Sequence, residues 1–144
     1  MNYNKYLSDN SLAIFLFHGV IEKNKYSVRN YIKKHLEKDY FYLILKELKK
    51  QGYPLSMDQL VDLHNNKESY PPNSFIITFD DGFENNYSIA APILDDMNIP
   101  ATFYITTDLV KNNIMGWSDR IEYCFENTDK AEIIFPWFAE IDNC

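Results

Sequence analysis

The sequence predicts an α/β fold in which parallel strands are joined by crossover helices. Three observations carry this expectation. Leu12 to Phe17 is an unbroken apolar run of strand length, the pattern of a strand covered on both faces in a parallel sheet. Phe75-Ile76-Ile77-Thr78-Phe79 is a second such run, β-branched or aromatic throughout. From there to Ile105 the chain reads strand, helix, strand with short joints, a βαβ unit. The whole order is strand, helices, strand, helix, strand, which suits a parallel sheet or part of a barrel.

The elements follow in turn. After His18-Gly19 the chain reads as helix through about Gln51. Asp39 can cap a turn in which Phe41, Ile44, Leu45 and Leu48 share one face while Lys46, Glu47, Lys49 and Lys50 face water. Gly52 ends that helix. Ser56-Met57-Asp58-Gln59 has the spacing of a capping box and opens a short helix expected to bury Leu60 and Leu63. Pro71 to Ser74 is a break before the second strand. After Gly82 the period changes to 3.6, with Ile89, Ile93 and Met97 in line, giving an amphipathic helix of about four turns. Asn98-Ile99-Pro100 stops it, and Ala101 to Thr106 forms a third strand. Met115 to Phe125 again has helical spacing, at Trp117, Ile121, Cys124 and Phe125. The apolar tail Ala131 to Phe138 has no later partner, so it is expected either to fold back or to leave a sticky patch.

Composition excludes several classes. A chain of 144 residues with 46% hydrophobic and 24% charged residues can bury a core. Its net charge of −7 opposes nonspecific binding to nucleic acid or anionic membranes, which attract cationic surfaces. The aromatic share, 16%, could serve sugar stacking, but aromatic rings more often fill cores. Cys124 and Cys144 are too few and too late for a disulfide framework. No run is long enough to span a membrane, and no signal-peptide pattern precedes the first strand, so a cytoplasmic location is expected.

The chemistry concentrates at Asp80 and Asp81, at the carboxyl end of the second strand, where α/β folds place ligands and catalytic groups. Adjacent residues at a strand end point to different sides. One carboxylate can therefore ligate a metal while the other faces a metal-bound water as a base. Close together, their like charges also require a cation or a shared proton. Gly82 lets the backbone turn sharply. The bland alternative is a solvated Asp-Gly turn, and the strand before and the helix after weigh against it.

Thr78-Phe79-Asp80-Asp81-Gly82 resembles the first motif of the polysaccharide deacetylase (NodB-homology) family. Phe15 to Val20 resembles the family's opening strand, and Leu45 to Tyr53 the helix that follows. Ala91 to Leu94 and Ile99 to Ile105 resemble the stretch after the aspartate pair. The resemblance implies part of a deformed (β/α) barrel of the NodB/glycoside hydrolase-deacetylase type. It implies a hydrolase that removes acetyl groups from a carbohydrate with a divalent metal, usually zinc. Asp80 would then be the general base and Asp81 a metal ligand. Residues 1–110 would be the N-terminal part of such a domain, and 111–144 a helical, insert-like continuation. Trp117-Ser118-Asp119-Arg120 resembles a feature of family members carrying an insertion after the third strand.

The departures from the family are as specific. Its His-x-x-x-His motif does not occur, and all three histidines, His18, His35 and His64, precede the aspartate pair. The later arginine, aspartate-tryptophan and leucine-x-histidine motifs are not found either. One carboxylate is a poor zinc site, because catalytic zinc usually has three protein ligands. The expectation is a chain that is incomplete or inactive as a catalyst, as a truncated reading frame would give. The alternative is a degenerate carbohydrate-binding or interaction module. Its partner would be an acetylated carbohydrate, with self-association through an uncovered sheet edge. His18, at a strand's carboxyl end, can face the same cleft as Asp80, but its role is left open; His35 and His64 read as solvated residues on helical stretches. A haloacid dehalogenase-type phosphatase is disfavoured because Gly82 stands where its second aspartate is needed. A response-regulator receiver is disfavoured for want of its later acceptor aspartate and lysine.

Overall fold

A computed structural model describes residues 3–9, 11–22, 30 and 33–132. The central strand is β5 (Ser74–Phe79), buried along its whole length. On one side it pairs in parallel with β1 (Ala13–Phe17), in register from Ala13 opposite Phe75 to Phe17 opposite Phe79. On the other side two short strands share it. β4 (Tyr53–Pro54) takes the amino-terminal half and β6 (Ala101–Phe103) the carboxyl-terminal half, both parallel. A separate parallel pair joins β2 (Gly19–Ile21) to β3 (His35–Glu37). The expected parallel α/β architecture is therefore present.

The core lies between β5 and helix α1 (Lys38–Gln51). Phe41, Ile44, Leu45 and Leu48 of α1 are buried, the residues that helical periodicity puts on one face. The cap differs from expectation: Glu37 is the N-cap, and Asp39 lies in the first turn, where its charge still suits the helix dipole. The segment before α1, expected to be helix, supplies β2 and β3 instead, and residues 23–29 and 31–32 lie outside the described residues. Aromatic rings fill much of this core. Phe17 meets Phe41 edge-on at 5.3 Å, Phe41 meets Phe79 at 5.8 Å, and Phe79 stacks on Phe103 at 5.0 Å. Each ring removed from water contributes roughly 2–3 kcal/mol, so the end of β5 is firmly anchored.

Two expectations of burial are corrected. β1 is not covered on both faces: Ile14 and Leu16 are each 54% exposed, while Ala13, Phe15 and Phe17 turn toward the core. An apolar run specifies a strand, but the number of layers packed on it decides whether both faces are covered. Helix α2 (Met57–Asn66) forms behind the expected capping box, with Gln59 N donating to Ser56 Oγ at 3.1 Å and Ser56 N to Gln59 Oε1 at 2.8 Å. It fully buries neither Leu60 nor Leu63.

After the aspartate pair the chain is helical over residues 84–96, with a π-helical stretch at Asn86–Ala90 leading into α3 (Ala91–Asp96). π turns recur beside functional sites because they re-aim the preceding residues. The third strand is shorter than expected and gives way to α4 (Thr107–Asn112) and α5 (Trp117–Asn127). Among the described residues no helix is long and apolar enough to cross a membrane. The apolar tail from residue 133 onward, including Cys144, lies outside the described residues; Cys124 is a free, exposed thiol.

Candidate active site

Asp80 leaves the carboxyl end of β5 held on both sides. Its N–H donates to Phe17 O of β1 at 2.9 Å, and Tyr104 N, just past β6, donates to Phe79 O at 2.8 Å. Thr78 Oγ1 donates to Phe15 O at 3.2 Å, and Ser74 Oγ at the other end of the strand donates to Pro71 O at 2.5 Å, so both hydroxyls of the buried strand are satisfied. The chain then makes a tight turn through two left-handed residues, Asp81 at φ +74° and Gly82 at φ +71°. Gly82 is at home there, and a Cβ on it would also crowd Ile105 Cγ2 at 3.1 Å. For Asp81 the conformation is a local strain of order 1 kcal/mol, and such strain clusters at functional positions.

Asp81 opens onto a cleft of about 620 Å³ between the 81–84 turn and the 109–116 segment, with Asp119 of α5 at its edge. Asp81 and Asp119 converge on one cation. Lys34 Nζ lies 2.9 Å from Asp119 Oδ1, 3.0 Å from Oδ2, and 3.8 Å from Asp81 Oδ2. It also reaches Ser118 Oγ at 3.4 Å and sits 4.6 Å above the Phe83 ring. The Lys34 and Asp119 side chains are only 10% and 8% exposed, so the pair is desolvated.

His35, the next residue, corrects the expectation of a solvated helical histidine. It begins β3, is 4% exposed, and packs edge-on against Phe83 at 4.7 Å. Asn30 brackets its backbone, with Nδ2 donating to His35 O at 2.5 Å and His35 N donating to Asn30 Oδ1 at 3.1 Å. Burial first, and then the Lys34 charge, lower its pKa from 6.5 to about 4, so the ring is neutral at pH 7. The place exists because residue 19 has no side chain: a Cβ there would fall 2.0 Å from His35 Nδ1. His18 is half-buried between β1 and β2, and its charge adds to the lowering at His35, which puts it in electrostatic range of this region. His64 is exposed on α2, as expected.

Asp80 and Asp81 thus stand together at the strand end, whereas Lys34, His35 and Asp119 join the region from distant parts of the chain. The Trp117-Ser118-Asp119-Arg120 motif marked Asp119 in the sequence; nothing local marked Lys34 or His35. The donors present do not fit a divalent metal with the usual three protein ligands. Among the described residues no three His, Cys, Asp or Glu side chains come together to hold one, and the cation beside Asp81 is the Lys34 ammonium.

Residues 67–132 match the family model described as polysaccharide deacetylase. No curated protein sequence matches the chain. Among solved structures, IcaB from Ammonifex degensii is similar with a TM-score of 0.59 and 21% identity, over 72% of this chain and 42% of that one. A de-N-acetylase from Aggregatibacter actinomycetemcomitans follows at 0.58 and 21%, over 75% and 43%. The Streptococcus pyogenes deacetylase PplD, solved in complex with acetate, gives 0.56 and 22%, over 70% and 45%. The chain therefore spans less than half the length of each of these three structures. Residues 67–132 are thus similar to the polysaccharide deacetylase family model, and the parallel α/β fold is similar to part of the folds of these solved structures.

Proposed function

We propose that this chain supplies the base-bearing part of a carbohydrate deacetylase site and is not, on its own, a complete catalyst. The observation that carries this reading is the Asp80-Asp81 pair, held at the carboxyl end of the buried central strand, with Asp81 lining an open cleft. The family match and the deacetylase folds support the substrate class, an acetylated sugar. Asp80, half-exposed and fixed by its backbone bond to Phe17, is the candidate general base. Its carboxylate would accept a proton from a water attacking the acetyl carbonyl, so that the carbon–nitrogen or ester bond breaks and acetate leaves. Asp81 is the proposed ligand for the family's divalent metal, and the described residues do not add the other donors that such an ion needs.

Lys34 beside Asp81 favours a second reading, a degenerate carbohydrate-binding or interaction module in which the pair is structural. The two readings separate by acetyl discrimination. In an NMR titration, a deacetylase-derived cleft should bind acetylated amino-sugar oligomers in preference to deacetylated ones, with shifts centred on 81–84. Equal response to both would reject the deacetylase reading. Acetate release by this chain is expected to be undetectable, and metal-dependent release lost in Asp80→Asn would overturn the view that the site is incomplete. Self-association is proposed through β1, which among the described strands pairs only with β5 and presents Ile14 and Leu16 to solvent.

A further inference from the structure

We infer that Lys34 is the resident cation of the Asp81–Asp119 pair and that it keeps a divalent metal out of that position. Two carboxylates aimed at one point from the ends of β5 and α5 need positive charge between them, and the chain supplies it from the segment before β3. The ammonium is caged. Both Asp119 oxygens lie at about 3 Å, Ser118 Oγ is within reach, Asp81 stands opposite, and the Phe83 ring closes the remaining side. A metal ligated by Asp119 would sit about 2.0–2.2 Å from its oxygens. That point lies against Nζ, so metal and ammonium exclude each other by volume and by charge. Displacing Lys34 would mean breaking a desolvated ion pair, which the structure resists strongly.

The substitution changes the chemistry available. An ammonium donates hydrogen bonds and balances charge, but it has no empty orbital for a water and cannot acidify one as a metal does. Lys34 therefore adds to the shortage of donors a second obstacle to a metal at this pair, an occupied position.

The test uses the whole chain and two readouts, neither of which involves acetyl release, so its outcome is independent of the deacetylation assay. Cobalt(II) uptake is followed by equilibrium dialysis while reductive methylation of each lysine is followed by mass spectrometry. Lys34 should methylate at least about tenfold more slowly than exposed Lys50, as expected for a group released only by local opening. Cobalt should either fail to bind at the pair or unmask Lys34 in proportion to its binding. Lys34→Met, which keeps the apolar stem against Phe83, should bind cobalt about tenfold or more tightly, and the gain should vanish in Lys34→Met/Asp119→Asn. Cobalt bound at this pair with Lys34 still protected would overturn the inference, as would a folded Lys34→Met chain with no gain. Methylation of Lys34 at the rate of Lys50 would overturn it even if neither variant folds.

Discussion

His35 should make the stability of this chain fall steeply on mild acidification. The folded pKa is about 4 and the unfolded value 6.5, because burial and the Lys34 charge oppose the imidazolium. A histidine with a lowered folded pKa takes up its proton in the unfolded chain first, so stability is complete above pH 6.5 and is lost as pH falls toward 4. At about 1.4 kcal/mol per pH unit, the full penalty is about 3 kcal/mol, of which about 2 kcal/mol has accumulated by pH 5. Asp119 and Asp81 pull the other way, and their pull is already contained in the value of about 4. The measurement is urea unfolding of the native chain and of His35→Gln at pH 7.5 and pH 5.0. Other titrating groups are common to both proteins and cancel in the difference. The native chain should lose about 2 kcal/mol more than the variant over that interval. Equal losses would show that His35 is protonated as easily in the folded chain as in the unfolded one, and would refute the burial argument.

Two further outcomes follow from local geometry. Gly19→Ala should destabilise by about 2 kcal/mol or more in urea unfolding, because its Cβ would fall 2.0 Å from a buried ring and 2.8 Å from Asn85 Oδ1; a loss under about 0.5 kcal/mol would mean that the ring has room to move. Ser56→Ala should cost about 1 kcal/mol by removing the side-chain half of the capping box, and Ser56→Asp should restore most of it; unchanged stability in the alanine variant would show that α2 stands without its cap.

Local signals were legible wherever the cause was local. The capping box at Ser56 formed as written, because its two bonds link residues three apart. The buried face of α1 followed from 3.6-residue spacing, since a helix fixes which side chains share a side. The length of β6 was less legible: Ala101 to Thr106 has strand composition throughout, yet only Ala101–Phe103 finds a partner, and pairing rather than composition ends a strand. Leu60 and Leu63 share a helix face but remain half-buried, because what packs over α2 is set elsewhere in the chain.

The sequence by itself determined that Asp80 and Asp81 stand at the end of a buried parallel strand. An apolar run, a glycine-assisted turn and a helical period follow one another without interruption, and each is decided by near neighbours. Only the tertiary structure decided what faces that pair. Lys34 meets Asp119 across 85 positions, and His35 is buried by the gap at Gly19 and the ring of Phe83. A lone lysine or histidine in a polar stretch has no period to betray it. Its role is set by the charge and volume of groups that chain folding brings alongside, which no local window contains.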